Sequence, residues 1–291
     1  MGDPIQVRAV GGEGPHNMAA QQECATHRIQ QRVPLAVIAI INSKGGAGKS
    51  TVTSHLAAYC AIRGPNVALC DLDPQKSTEF WLKRRPENSA KIRGYSIANT
   101  FTHPPADARH VFIDTPSGFQ GLPYLRVMMY ADAVLVPTAI SFFDRRALES
   151  TIRMLQGAPR VVKGNCVIGC VGTRIDPRSN DSALLETMLR DLGVSYLGAI
   201  PAARVYSRCL EQGLTVFDFP SAGARGQMAH WARVIAWLET VLAKVSPRVV
   251  NPALSAQRPV APRVPAYPLA PAQRPSLAST LLRNIPRFLV R

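Results

Sequence analysis

A glycine-rich stretch with two lysines is the part of this sequence whose residue types and spacing could do chemistry. It reads Asn42-Ser-Lys-Gly-Gly-Ala-Gly-Lys-Ser-Thr51. Gly48-Lys49-Ser50 fits the end of the phosphate-loop pattern G-x-x-x-x-G-K-[ST], whereas Ser43 stands where the first glycine is usual. Glycines let consecutive backbone N–H groups turn toward a phosphate, and the N-terminus of a following helix adds positive partial charge. The stretch therefore predicts a nucleotide site in which Lys49 reaches the β- and γ-phosphates and Ser50 holds Mg²⁺.

Aspartates at the ends of two apolar runs could complete such a site. Asp114 follows an apolar run and stands where a carboxylate holds Mg²⁺, usually through water. Asp73 follows another run and could orient or activate the attacking water. Asp71 is predicted to be structural or associated with Mg²⁺. A single aspartate at a strand end is more often a turn or cap residue, but three phosphate-site elements on successive strands favour a catalytic set.

The elements that must position these residues follow from the hydrophobic pattern. Continuous apolar runs of strand length are found at 35–41, 66–70, 110–113, 133–136, 166–171 and 196–200. Helical segments are predicted between them, at 51–61, 77–85, 120–130, 144–155, 182–192, 203–212 and 223–244. This alternation predicts an α/β fold with a doubly wound, mostly parallel sheet, helices on both faces and ligands at the carboxyl ends of the strands.

Two further expectations concern parts of this fold. The last helical segment carries apolar residues spaced by three and four, which predicts a stripe that faces the core: Met228, Trp231, Ile235, Leu238 and Leu242. Residues 86–108 show no clear periodicity, and we expect them to be weakly structured.

The charge distribution divides the chain into three parts. Residues 1–34 are neutral and without periodicity, which predicts a disordered extension in which Met18 could be the true start. Residues 35–244 form the predicted domain, with a net charge of +8. Residues 245–291 contain nine prolines, seven arginines and no acid, which is typical of a proline-rich basic tail. A total of +15 indicates an anionic partner, nucleic acid first and an acidic membrane surface second.

The end of the tail, residues 276–291, has the pattern of an amphipathic helix. One face would carry Leu277, Leu281, Ile285 and Phe288, and the opposite face Arg283, Arg287 and Arg291. Pro286 argues against a straight helix, because it removes a backbone hydrogen bond. A disordered basic tail, DNA contact, partner docking and membrane contact all remain open.

Cysteine usage and the absence of targeting patterns bear on the compartment. Six scattered cysteines show neither a C-x-x-C pair nor a zinc-type cluster with histidine. Residues 1–34 lack the apolar segment of a secretory signal, and no run approaches the length of a membrane helix. We therefore expect a reduced, cytoplasmic protein.

Three motifs together resemble the ParA/MinD family of deviant Walker-A ATPases. They are Lys44-Gly-Gly-Ala-Gly-Lys49-Ser-Thr, Asp71-Leu-Asp-Pro-Gln75 and Ile113-Asp-Thr-Pro116. The resemblance covers residues 35–244 and implies a P-loop NTPase fold with ATP and Mg²⁺ as cofactors. It also implies a sandwich homodimer that forms on ATP binding, in which Lys44 reaches the phosphates of the other subunit. Such a lysine would act as an arginine finger does, by placing positive charge where transition-state charge develops.

The same resemblance assigns roles to the motif residues. Catalytic roles are implied for Lys44, Lys49 and Asp73, and Mg²⁺ binding for Ser50 and Asp114. The implied nucleotide contacts are Gly45, Gly46, Ala47, Gly48, Lys49, Ser50, Thr51 and, in the adenine-contacting loop, Pro201. Thr173-Arg174 stands where many relatives have asparagine, so the base contacts of this chain depart from the family pattern.

Pro74-Gln75 and Trp81 are more similar to the ParA branch than to MinD. That branch implies non-specific DNA binding on the nucleoid and slow hydrolysis stimulated by a ParB-like or other cargo adaptor. The cargo would be a plasmid, a chromosome origin or a protein assembly such as a carboxysome or chemoreceptor cluster. The expected DNA contacts are Arg204, Arg208, Arg225, Arg233 and Lys244.

Two other functions are compatible with the same fold. One is a MinD-like membrane-associated regulator anchored by the C-terminal segment. The other is a metallocluster carrier or reductase, but that chemistry needs paired cysteines, and Cys166 and Cys170 lie four apart on a predicted strand. The sequence therefore favours the ParA-type positioning ATPase.

Overall fold

The computed structural model of this chain describes residues 31–64, 66–95, 104–105, 107–219, 221–245 and 247–250. For residues 31–34 and 247–250 only the backbone is described. The predicted extension up to residue 30 and the predicted amphipathic segment 276–291 lie outside the described residues. The domain boundaries at 34/35 and 244/245 therefore stay predictions.

A seven-stranded parallel sheet forms the centre of the described fold. Its strands are β2 (Ala36–Ile40), β3 (Val67–Asp71), β4 (Ile92–Tyr95), β5 (His110–Asp114), β6 (Ala133–Thr138), β7 (Val167–Thr173) and β8 (Ser195–Ile200). They lie in the order β4-β3-β5-β2-β6-β7-β8, and each neighbouring pair is parallel. Because β2 is in register with β5, Ile40 lies opposite Asp114. The carboxyl ends of the central strands thus meet at one edge, as the predicted site requires.

Helices cover both faces of this sheet, which confirms the predicted doubly wound fold. They are α1 (Lys49–Ile62), α2 (Ser77–Lys83), α3 (Gly121–Tyr130), α4 (Phe142–Gln156), α5 (Pro159–Val162), α6 (Asn180–Asp191), α7 (Arg204–Glu211), α8 (Ala222–Met228) and α9 (Ala232–Lys244). One core layer buries apolar side chains of α3, α4 and α6 against the sheet. The other buries those of α1, α7, α8 and α9. Apolar strands covered on both sides explain why the sequence shows continuous runs rather than alternation.

Three of the described strands lie where the sequence predicts no regular structure. Residues 92–95 form the strand β4, which among the described strands pairs with β3 alone and is at most half-buried. A strand of four residues that includes a glycine is too short to give a clear hydrophobic pattern. Glycine fits at Gly94 because an added Cβ would lie 2.9 Å from Leu82 Cδ2. Strand β1 (Gln31–Pro34) pairs antiparallel with β9 (Pro247–Val250), which joins segments more than two hundred residues apart. Local patterning cannot reveal such a pairing.

The predicted core stripe of the last helical segment is partly wrong. A 3₁₀ turn at Ala229–Trp231 separates α8 from α9, so the helical phase changes there. Trp231 and Leu238 are fully buried as predicted, whereas Met228 is 38% exposed. Val234 and Val241 are buried in its place.

A buried ion pair joins Arg85, which follows α2, to Asp218 in the loop between α7 and α8. Both side chains are 5% exposed. Arg85 Nη2 lies 2.6 Å from Asp218 Oδ1, and Nη1 lies 3.1 Å from Oδ2. Asp218 Oδ2 also accepts the Thr215 N–H at 2.9 Å and its hydroxyl at 2.7 Å. The pair therefore fixes the 213–218 loop against α2.

We expect Arg85→Ala to lower the free energy of unfolding by about 3–5 kcal/mol, because it leaves the buried Asp218 carboxylate without its cation. Urea titration measures the loss. The control is Arg153→Ala, in an exposed pair with Glu149 at 2.8 Å on α4, where about 0.5 kcal/mol is expected. Equal losses in the two variants would contradict a structural role for the buried pair.

Candidate nucleotide-binding site

The loop between β2 and α1 is held by hydrogen bonds to the neighbouring strands β6 and β7. Asn42 Nδ2 donates to the Pro137 carbonyl of β6 at 2.7 Å, and its Oδ1 accepts the Lys44 N–H at 2.9 Å. At the other end, the Thr173 hydroxyl of β7 donates to the Ala47 carbonyl at 2.9 Å. The loop is thus fixed at both ends, and its backbone N–H groups are preorganised for an anion.

Glycine is required at Gly48 for two reasons. Its φ is +89°, a left-handed backbone conformation that residues other than glycine rarely adopt. A Cβ there would also lie 3.3 Å from Thr173 Cγ2, so the loop could not approach β7 as closely. Gly46 has φ +70° but open space around it, so only its conformation favours glycine.

Lys49 is the first residue of α1, and its side chain extends back over the loop. It is 7% exposed, and its Nζ donates to the Lys44 carbonyl at 3.2 Å. Burial lowers the pKa of Lys49, whereas the charges of Asp114 and then Asp73 raise it. The ammonium group therefore lies where the phosphates of a bound nucleotide would replace the carbonyl as its partner.

Asp114 ends β5 as a fully buried carboxylate without full hydrogen bonding. Its Oδ1 lies 3.5 Å from the Thr53 hydroxyl, whereas Oδ2 has no hydrogen-bond partner among the described residues. Burial raises the pKa of Asp114 to about 7, against the smaller opposing effect of the nearby Ser50 side chain. A buried oxygen without a partner beside a serine hydroxyl fits Mg²⁺, which prefers oxygen ligands and keeps several waters. Ser50 and Asp114 are thus suited to hold the ion.

In the absence of Mg²⁺, we expect Asp114→Asn to raise the free energy of unfolding at pH 8 by up to about 4 kcal/mol. The folded pKa of about 7 lies above the model-compound value of 3.8, so the folded chain carries a buried, ionised carboxylate only at higher pH. The gain from asparagine is therefore full above pH 7 and shrinks as the pH falls from 7 toward 4.

Urea titrations of wild type and variant at pH 8 and pH 5.5 measure this difference. With ATP and Mg²⁺ present, we expect the wild type to gain more thermal stability than the variant. An Asp114→Asn protein that is less stable than wild type at pH 8 without the ion would contradict the view that the buried, ionised carboxylate destabilises the fold.

The two aspartates after β3 have different surroundings. Asp71 is buried, and its Oδ2 accepts the N–H groups of Thr78 and Glu79 at 2.9 and 3.0 Å. Its Oδ1 accepts the Asp73 N–H at 2.9 Å, so Asp71 organises the turn and the start of α2. Asp73 is partly exposed and lines the cavity over the loop. Asp73 is therefore the carboxylate available to a bound molecule.

One cavity of about 660 Å³ extends from the loop across the carboxyl ends of β7 and β8. This volume lies within the usual range for small-molecule sites. It brings together the predicted contacts Gly45, Gly46, Ala47, Gly48, Lys49, Ser50, Thr51, Asp73 and Pro201. Asp114 lies beneath the loop rather than on the cavity wall. The predicted residues thus share one place, although their roles stay predictions.

Other cavity residues were not among the predicted nucleotide contacts, although the sequence marked Thr173-Arg174 as a departure from the family's base contacts. Arg174, with φ +58°, and Tyr206 line the end of the cavity where Pro201 lies. Trp231 also lines it and stacks on His55 of α1, with ring centroids 4.8 Å apart and planes 10° apart. The position of Thr173-Arg174 after a strand was a usable signal, but nothing local places Trp231 beside the loop.

Lys44 differs from Lys49 in being exposed. It does not line the cavity, and its ammonium group has no hydrogen-bond or ion-pair partner within the part of the chain that the structure describes. This cation is therefore free to contact a molecule outside its own subunit.

The five expected DNA contacts have different surroundings. Arg204 lines the nucleotide cavity. Arg233 donates to the Tyr196 carbonyl at 2.8 Å and lies over the Tyr196 ring. Lys244 lines a second cavity at the amino ends of β7 and β8. Arg208 and Arg225 are exposed on α7 and α8. These two are the best placed for a nucleic acid, and all five roles stay predictions.

The fold and the loop define a P-loop nucleotide-binding protein. The family model of the CobQ/CobB/MinD/ParA nucleotide binding domain matches residues 38–216, and the chain belongs to this family, whose MinD and ParA members are ATPases.

Relatives within the family show what the chain is similar to. It is 28% identical over 216 residues to the maintenance of carboxysome distribution protein A of Gloeobacter kilaueensis, a match that covers 68% of this chain and 91% of that protein. It is 26% identical over 170 residues to the protein ParA of Rhizobium radiobacter, covering 56% and 76%. The ATP complex of a substituted McdA from Cyanothece has a similar fold, with a TM-score of 0.54, 15% identity and coverage of 75% and 100%.

Proposed function

We propose that this chain is a ParA-type ATPase that binds ATP with Mg²⁺ and uses slow hydrolysis to position a cargo. The observation that carries the proposal is the contrast between its two loop lysines. Lys49 is buried over the loop, whereas Lys44 is exposed, outside the cavity and without a partner for its ammonium group among the described residues. A simple nucleotide binder needs only the first of these cations.

Within one subunit the described residues support binding and orientation of the triphosphate. Loop N–H groups and Lys49 would hold the phosphates, and Ser50 with Asp114 would hold Mg²⁺. The ion would neutralise charge on the phosphate oxygens. Asp73 lines the cavity and would orient the attacking water.

The second subunit would complete this site. Two chains facing each other across their nucleotides would each supply Lys44 to the phosphates of the other, so that ATP binding drives dimerisation and hydrolysis reverses it. Sedimentation with ATP and Mg²⁺, against ADP and Mg²⁺, tests this step together with ATP turnover. A chain that stays monomeric with ATP would contradict the composite site.

The cargo function is proposed from charge and from the relatives. A basic chain related to proteins that maintain carboxysome distribution and to ParA would use the nucleoid in the cytoplasm as its matrix. A ParB-like or other adaptor would stimulate hydrolysis where the cargo lies. The cargo would be a plasmid, a chromosome region or a protein assembly such as a carboxysome.

We expect the ATP-bound dimer to bind random duplex DNA and to lose about tenfold or more in affinity between 50 and 200 mM salt, because binding releases counterions. The double variant Arg208→Glu/Arg225→Glu should weaken binding further at each salt concentration. Fluorescence anisotropy of labelled DNA measures both effects.

The matched control is Arg178→Glu/Arg190→Glu, an equal charge change on two exposed residues, one just before α6 and one on it. Equal losses in the two double variants would assign DNA binding to net charge rather than to α7 and α8.

The alternative function is a MinD-like regulator that associates with a membrane. None of the helices within the described ranges is long and apolar enough to cross a membrane. Binding to anionic vesicles that depends on residues 276–291 would favour this regulator over the DNA-binding ATPase.

A further inference from the structure

Helix α3 carries an apolar stripe on its solvent face. Leu122, Leu125 and Met129 are 59%, 53% and 63% exposed, and their spacing of three and four places them on one side of the helix. On the opposite side Val127 and Met128 are buried in the core. The stripe extends about 10 Å along the helix. Adjacent exposed apolar residues of this kind mark interaction sites.

Basic residues border this stripe. Arg126 is exposed on α3 beside the stripe, and α5, which packs against α3, presents Val162 at 72% exposure followed by the exposed Lys163. The acids of this region are already engaged: Asp132 with Arg160, Glu149 with Arg153 and Asp144 in the capping box of Ser141. Neither Arg126 nor Lys163 has an acidic partner in the described ranges. The stripe is therefore apolar at its centre and positive at its border.

The same helix is connected directly to the nucleotide site. It follows Asp114 through a segment in which the Gly118 N–H donates to the Ser43 carbonyl of the phosphate loop at 2.9 Å. Gly118 and Gly121 have φ of +64° and +67°, and Phe119 between them is buried. A displacement of α3 would therefore act on the loop contact and on the strand end that carries Asp114.

We propose that the outer face of α3 docks an amphipathic helix with acidic flanks, supplied by the partner protein that stimulates hydrolysis. The proposal rests on the proposed function, since it names the chemistry of that partner. Apolar residues at i, i+3 and i+7 match two turns of a docked helix. Acidic flanks would pair with Arg126 and Lys163, which gives the interaction its specificity.

Charge also argues against a second copy of the chain on this face. In a symmetric self-contact the same patch meets itself, so the basic borders of the two copies would face each other. That arrangement places Arg126 and Lys163 near their own counterparts and is repulsive. An acidic partner removes this repulsion.

The probe is a labelled, helical 18-residue peptide with leucines at i, i+3 and i+7 and glutamate flanks, added to the full chain without nucleotide. We expect binding by anisotropy, with Leu125→Ser and Arg126→Glu each weakening it about tenfold. A peptide with lysine flanks should bind the wild type poorly and bind Arg126→Glu better. The controls are Leu184→Ser and Arg190→Glu on α6, where Leu184 is 43% exposed.

Other results would overturn the docking surface. Equal binding of the peptide to all variants, or no binding of the acidic peptide, would contradict it. Loss of self-association in Leu125→Ser, measured by sedimentation, would assign the surface to a second copy of the chain. Attachment to anionic vesicles that needs Leu125 would assign it to a membrane. ATP turnover is measured separately. A chain that binds the peptide as expected but does not hydrolyse ATP would refute the proposed function and leave the docking surface in place.

Discussion

Replacing Lys44 with alanine is expected to lower ATP turnover by about 10³-fold or more while leaving ATP binding by the single subunit intact. A cation that enters a phosphoryl-transfer site from another subunit is worth about 10³–10⁵ in turnover, because it meets charge that develops in the transition state. Lys44 is exposed and lies outside its own cavity, whereas its backbone is held by Asn42. The substitution should therefore remove a charge without disturbing the loop.

Lys49→Ala provides the comparison. Lys49 is buried over the loop, so its loss should weaken nucleotide binding itself. A fluorescent ATP analogue measures binding, and phosphate release measures turnover. Normal turnover in Lys44→Ala would contradict the proposal that this lysine acts on the nucleotide of the other subunit. Loss of analogue binding in Lys44→Ala would show that it acts in its own cavity.

The phosphate loop could be predicted because its information is local. Gly48-Lys49-Ser50 stands between an apolar strand and a helix, where a phosphate loop is expected. Pro201 was placed near it only by the resemblance to the ParA/MinD family. The structure adds contacts that join distant segments, from Thr173 to Ala47 and from Gly118 to Ser43. Such contacts depend on packing in three dimensions, so a reading of one segment at a time cannot find them.

The helices show a second limit of sequence patterns. In α3 the apolar residues Leu125, Val127 and Met128 lie close in sequence, yet only the latter two are buried. When a helix carries apolar residues on both sides, their spacing does not show which side faces the core. In the last helical segment the apolar residues have a regular helical spacing, but the 3₁₀ turn before α9 interrupts the helix. The prediction that Met228 faces the core was therefore wrong.

Asp73→Asn is expected to lower ATP turnover by about 10²–10⁴-fold, the range of a general base, while the ATP-bound dimer accumulates. The carboxylate lines the cavity, its Oδ1 accepts the Gln75 N–H at 2.9 Å, and its own N–H is held by Asp71. Asparagine keeps the shape of the side chain, so thermal stability should change little. Asp71→Asn should instead lower the melting temperature, because Asp71 accepts the N–H groups that begin α2.

Mixing the two inactive variants tests Lys44 and Asp73 together. In a mixed dimer of Lys44→Ala and Asp73→Asn, the Lys44→Ala subunit keeps its own Asp73 and receives an intact Lys44 from its partner. One site in each mixed dimer is therefore complete, and random pairing in a symmetric dimer predicts recovery of about a quarter of wild-type turnover. If Lys44 acted within its own subunit, neither site would be complete and the mixture would stay inactive. Recovery of turnover would thus show that the loop of one chain is half of an active site.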